Sequence, residues 1–188
     1  MFQRSRLAIS AAALTLTLGL VGAACGSDSD SEGAADSTTT TTEAVELEPC
    51  AEVYVAGTGA PEGPEAIEAR GEPEVSACEP DGTLLVIDDV VGTGAEATPA
   101  STVEAQYVGA VLETGEVFQS SWQMNGAIEF PLDGVIQGWS EGLVGMKAGG
   151  RRTLVIPAEM AYGANPPHGS GIPANADLVF TVDLVSVS

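Results

Sequence analysis

The sequence predicts an α+β domain, a curved antiparallel β-sheet held on one short helix. Three observations predict it. Residues 178–187 alternate cleanly, with Leu178, Phe180, Val182 and Leu184 on one face and Val179, Thr181 and Asp183 on the other, which is the period of a strand. Residues 102–112 carry a second alternating run through Val103, Ala105, Tyr107, Val108 and Val111. Between these strands, Val135, Ile136, Trp139, Leu143 and Met146 recur at helical spacing and form an apolar stripe.

The remaining elements follow in order along the chain. Residues 83–91 read as a strand, turned by Gly92-Thr-Gly94. After the 102–112 strand, Glu113-Thr-Gly115 turns the chain into a short strand at Val117-Phe118, and 127–132 gives another. Gly138 and Gly142 lie inside the helix and weaken it by about 1 kcal/mol each relative to alanine. The helix must therefore depend on packing into the sheet. Strands at 151–156 and 178–187 complete the unit, and Leu143, Val155 and Val182 are read as core. Residues 83–188 are long enough for one compact domain.

Upstream, the character of the chain changes. Residues 1–24 read as a signal peptide: Arg4 and Arg6 precede an apolar run from Leu7 to Val21 that is too short, and too soon followed by polar residues, for a membrane span. Gly22-Ala-Ala-Cys25 places small residues before a cysteine, which fits cleavage and lipidation of Cys25. Cleavage after Ala24 without lipidation stays open, since Gly22 stands where an aliphatic is usual. After Cys25, residues 26–46 are, apart from Val45, only Ser, Asp, Glu, Gly, Ala and a run of five threonines, so 25–46 reads as a disordered tether with almost nothing to bury. The expected location is the outer face of the cytoplasmic membrane, reached through a lipid anchor.

The formal net charge is −21. Removal of Arg4 and Arg6 with the leader makes it two units more negative and leaves four basic residues, Arg70, Lys147, Arg151 and Arg152. Phosphate binding needs clustered cations, so nucleic acid is excluded as a partner. Acidity also favours solubility and would suit basic clients.

With Cys25 set aside, Cys50 and Cys78 remain and are expected to join in an exported chain. Residues 47–82 then form an irregular acidic lead-in stapled by one disulfide, with Val53-Tyr-Val55 as its one short strand. A metal site is the lesser use of these cysteines, because no third or fourth soft ligand is near. No metal or cofactor is expected. Gly92-Thr-Gly94 has no phosphate-loop lysine after it, Asp133 and Glu159 are isolated carboxylates, and His168 reads as exposed and noncatalytic.

A set of short motifs runs through the folded part: Gln106-Tyr-Val-Gly109, Gly115-Glu-Val-Phe-Gln-Ser-Ser121, Val135-Ile-Gln-Gly-Trp139, Gly145-Met146, Ile156-Pro157, Ala161-Tyr-Gly163, Ile172-Pro173 and Leu178-Val-Phe180. In this order and spacing they resemble the FK506-binding protein family of peptidyl-prolyl cis-trans isomerases. The resemblance implies an FKBP-like sheet half-wrapped around the helix, and an apolar aromatic pocket acting without covalent help on X–Pro bonds of exported polypeptides. It implies that Trp139 forms the floor beneath the proline ring, with Tyr107, Phe118 and Phe180 as walls and Tyr162 presenting its hydroxyl to a substrate carbonyl. Val135 and Ile136 would line one side, the Ile136 N–H would donate to substrate, and Ile172 would cover the pocket from the loop at 165–171.

Two positions depart from the family pattern. Gln119 stands where the family usually carries aspartate, and Ile128 where an aromatic wall residue is common. Both imply lower activity and weak binding of macrolides such as FK506 and rapamycin, and they keep a second reading in play, a binding or chaperone module of low turnover on the cell surface. A purely structural lipoprotein would have little reason to keep Tyr107, Phe118, Trp139 and Tyr162 together. Trp122 is either a client contact or a packed loop anchor. No long unsatisfied apolar stretch in 83–188 demands a partner, so a monomer is expected.

Overall fold

A computed structural model describes residues 47–54, 63–124 and 126–188. The signal peptide, Cys25 and the tether lie outside the described residues, as does Val55.

Six strands form one antiparallel sheet: β1 (Leu85–Val90), β2 (Thr102–Val111), β3 (Val117–Ser120), β4 (Ile128–Pro131), β5 (Arg151–Ile156) and β6 (Leu178–Val187). The order is β1-β5-β6-β2-β3, and β4 also pairs with β2. β6 is thus a central strand, its register running from Val111↔Leu178 to Val103↔Val187 against β2. β3 and β4 pair with different stretches of β2, at 108–110 and 102–105. In the interval between them the Tyr107 N–H donates to Ser121 Oγ at 2.7 Å, so a hydroxyl supplies the acceptor that a continuous strand would have provided.

The helix α3 spans only Gln137–Gly142, shorter than the apolar stripe. Ile136 is extended, with φ −61° and ψ 151°, and Gly145 takes φ +81°, so both ends of the stripe leave the helix while still facing the core. The glycines inside the helix have a packing reason. A Cβ on Gly138 would come within 2.3 Å of Ile156 Cγ2, and one on Gly142 within 2.7 Å of Leu154 Cδ2. The helix lies so close to β5 that only hydrogen fits there. Leu143, Met146, Leu154, Ile156 and Val182 fill the layer between helix and sheet.

The opposite face of the sheet is covered too. Val155, Val179, Ala110 and Leu112 pack against Cys50 and Cys78, with Val53, Tyr54 and Val75 at the margin. Cys50 and Cys78 are joined in a disulfide, as expected from the sequence. Among the described residues the lead-in contributes three helical turns, α1 (Cys50–Val53), a 3-10 turn at Pro64–Ala66, and α2 (Ile67–Arg70) directly after it. The strand expected at Val53-Tyr54 is therefore a helical turn, closed by Tyr54 N–H donating to Cys50 O at 2.9 Å. Its β-branched residue has no neighbouring strand to pair with, and the local hydrogen bond wins.

Because both faces are covered, Asp183 of β6 is fully buried. Arg70 of α2 meets it at 2.8 Å and Arg151 of β5 at 2.7 Å. Arg70 also donates to Gly149 O, and Arg151 Nη2 to Gly71 O at 2.6 Å. Arg152 pairs with Asp88 at 2.7 Å and donates to Gly142 O at the end of α3.

Candidate active site

Trp139 sits on α3 with only 4% of its surface exposed. Tyr107 from β2, Phe130 from β4 and Phe180 from β6 each meet it edge to face, with centroids at 5.3, 5.3 and 5.4 Å and interplanar angles of 90°, 71° and 87°. This arrangement is favoured by the ring quadrupoles, and it places the rims of three walls around one floor. Above the floor lies a hollow of about 270 Å³, lined also by Val135, Ile136, Gln119 and Tyr162. That is below the roughly 300–1,000 Å³ of drug-sized ligand sites, and it suits a single ring.

The helix start places the aliphatic side. The Ile136 carbonyl accepts from the N–H groups of Trp139 and Ser140 at 3.0 and 3.1 Å, which fixes Ile136 at the rim. Its own N–H has no acceptor among the described residues. Tyr162 follows the turn at Ala158–Met160, where the Ala158 N–H donates to the Asp177 carboxylate at 2.7 Å. Burial pushes the Tyr107 hydroxyl pKa up to about 12, with a smaller contribution from Tyr162, and burial raises that of Tyr162 as well. Both hydroxyls are thus neutral at physiological pH and able to donate.

Phe118 stands one ring further out. It meets Phe180 edge to face at 5.7 Å and lines a second, larger hollow of about 670 Å³ with Ile172, Met124, Gln123 and His168. Gln119 and Tyr162 line both hollows, so the two adjoin across that pair. Ile172 lines this outer groove and packs at the margin of the core that holds Trp139. Gly109 makes the Phe118–Phe180 contact possible: a Cβ there would fall 2.6 Å from Phe180 Cε1 and 2.9 Å from Phe118 Cζ.

Ile128 must be corrected. It packs half-buried against the core, while Phe130, two residues on, is the aromatic wall beside Trp139. Ile128 pairs with Ala105 and Phe130 with Val103, so the two share a face of β4 and a slip of two residues exchanges them. The alternation Ile128, Phe130, Leu132 within the expected strand was the signal that could have found Phe130. The aromatic wall that Ile128 was thought to lack is therefore present. Gln119 is exposed at the rim and brings no buried charge. Trp122 is half-buried in the turn Ser121–Gln123, with its indole N–H shielded. His168 is exposed, as read from the sequence, on the rim of the outer groove. Among the described residues no group of three or more metal-ligating side chains occurs.

A family model for FKBP-type peptidyl-prolyl cis-trans isomerases matches residues 94–185. The chain is 54% identical over 104 residues to a probable FK506-binding protein of Corynebacterium glutamicum, covering 55% of this chain and 86% of that protein. It is 42% identical over 111 residues to an FK506-binding protein of Streptomyces anulatus, covering 58% and 90%. The crystal structure of FkpA from Escherichia coli superposes with a TM-score of 0.52 at 37% identity, over 64% of this chain and 55% of that one. The open sheet around one short helix is common to such proteins, and on a sequence match spanning most of its relatives' length the chain belongs to the family of FKBP-type peptidyl-prolyl cis-trans isomerases.

Proposed function

We propose that isomerisation takes place over Trp139, with the proline ring on the indole and the X–Pro amide at the mouth between Tyr162 and Ile136. The observation that carries this reading is the set of three rings standing edge-on around Trp139 under an open hollow. An X–Pro amide rotates over a barrier of about 20 kcal/mol because rotation destroys C–N resonance. The planar ground state carries negative charge on oxygen, and the twisted state carries less. An apolar, desolvated pocket therefore favours the twisted state. No bond is made or broken, and neither nucleophile nor metal is needed. The neutral Tyr162 hydroxyl and the Ile136 N–H orient the substrate by donating to its carbonyls.

The clients are polypeptides exported with this protein, a reading that rests on the leader at 1–24. Lipidation of Cys25 holds the protein at the outer membrane face, with residues 26–46 as tether. Retention of the aromatic wall at Phe130 favours turnover over passive binding, and an FK506-type macrolide would place only one ring in the same hollow.

The experiment is turnover of the protein on a panel of short X–Pro peptides beside a Trp139→Leu variant. The expected result is catalysis well above the uncatalysed rate, falling at least about tenfold in the variant, which corresponds to about 1.4 kcal/mol of transition-state stabilisation. Equal turnover by wild type and variant would remove the chemistry from this pocket. An uncatalysed rate from folded wild type across the panel would leave a binding module. Export and anchoring are tested separately, by metabolic labelling with a radiolabelled fatty acid in cells making wild type or Cys25→Ala.

A further inference from the structure

We infer that Glu72, which lies before the segment matched by the isomerase family, is a positioning residue for the outer groove and so sets how tightly substrate flanking the proline is held. The inference rests on the reading that polypeptide crosses this groove on its way to the Trp139 pocket.

Ser120 is buried, and its hydroxyl donates to Glu72 Oε1 at 2.6 Å; the same oxygen accepts from Gln123 Nε2 at 3.2 Å. Ser120 and Gln123 both line the outer groove, next to Phe118 and Gln119. The short wall they form is tied down at two points. On the inner side, Ser121 Oγ donates to Gln106 Oε1 and accepts from the Tyr107 N–H. On the outer side the tie is Glu72. A carboxylate acceptor makes a stronger hydrogen bond than a neutral one, and Glu72, itself exposed, fixes the Ser120 hydroxyl from the solvent side.

Glu72 is itself held rather than floating. Its neighbours Arg70 and Gly71 are bound to Asp183 and Arg151 on the sheet. Residues 70–72 therefore run from the β5–β6 pair to the β3 edge as one strap, and groove shape depends on sequence outside the catalytic unit.

The test uses the full chain with two substrates: an acetyl-alanyl-proline anilide, which fills little beyond the Trp139 hollow, and a pentapeptide with proline at its centre. Glu72→Ala is expected to raise KM for the pentapeptide about tenfold, the size of one charge-assisted hydrogen bond, with kcat and the short substrate's kinetics unchanged. Glu72→Gln keeps an acceptor oxygen for both donors and is expected to restore most of the wild-type KM. Ser120→Ala is expected to add little on top of Glu72→Ala, since the two act as one pair; it also serves as the readout if Glu72→Ala folds poorly. An unchanged pentapeptide KM in Glu72→Ala, or an equal loss on both substrates, would overturn the inference. So would a Glu72→Gln variant as defective as Glu72→Ala. Trp139→Leu, run alongside, separates this from failure of the pocket assignment: wild-type kinetics in that variant sinks the pocket whatever Glu72 does.

Discussion

Arg70 and Asp183 lie 113 residues apart in sequence and meet at 2.8 Å, with side-chain exposures of 3% and 0%. Arg151 closes the other side of the carboxylate at 2.7 Å. A charge so far from water is tolerated because it is matched. Asp183→Asn removes the match and leaves two guanidinium groups around a neutral amide. The expected cost is about 3–5 kcal/mol, the range for breaking a buried ion pair, read as a lower urea midpoint at unchanged slope. A loss below about 1 kcal/mol would mean that solvent reaches the cluster in solution.

Gly109→Ala should damage the site while leaving the sheet hydrogen bonds intact. The added methyl falls against the rings of Phe180 and Phe118, and both must move. Overpacking of this kind costs about 1–3 kcal/mol. Thermal unfolding gives that loss, and X–Pro turnover is expected to drop with it because Phe180 is one of the rims around Trp139.

Reduction of the Cys50–Cys78 disulfide should lower stability by about 3–4 kcal/mol on the loop-entropy account. Paired urea titrations with and without a reductant measure it. Val155 and Val179 lose part of their cover in the reduced protein, so dye binding to exposed apolar surface is expected to rise as well. Identical midpoints in both titrations would show that the crosslink closes no entropy-rich loop in the unfolded chain.

Turnover should be flat with pH up to about 10. The Tyr107 hydroxyl titrates at about 12 against an ordinary value of 10.0, and Tyr162 shifts the same way. A raised folded-state value means that the native protein holds its proton where the unfolded chain has released it. The stability these two hydroxyls contribute is therefore full below about pH 10 and falls as pH rises toward about 12. An inflection in rate between about pH 7 and 9 that disappears in Tyr162→Phe would assign that hydroxyl an acid–base role and contradict the mechanism.

Much of this was legible in the chain, for reasons that differ by element. Leu178–Val187 alternates so strictly that its strand and faces are unambiguous, and local period places Tyr107, Trp139 and Phe180 on their strands and helix, but only the resemblance to the family groups them into one pocket. The slip from Phe130 to Ile128 had another cause: both lie on one face of one strand, and only the register against Ala105 and Val103 tells them apart. Register is a tertiary property. The lead-in was harder still. Nothing near Arg70 names Asp183 as its partner, and Val53 favours a strand until the surroundings offer it none. The reach of Glu72 to Ser120 is likewise visible only once the sheet has carried β3 beneath it.

The inward-turned arginines carry one more consequence. Arg70 and Arg151 are occupied by Asp183 and Arg152 by Asp88, while Lys147 is exposed. Against a formal charge of −21, the exterior is left with little to offset its carboxylates. Such molecules are self-spacing: each carries a cloud of small cations whose osmotic pressure holds neighbouring copies apart. The repulsion between copies should decay over about 30 Å at 0.01 M salt and over only about 8 Å at 0.15 M.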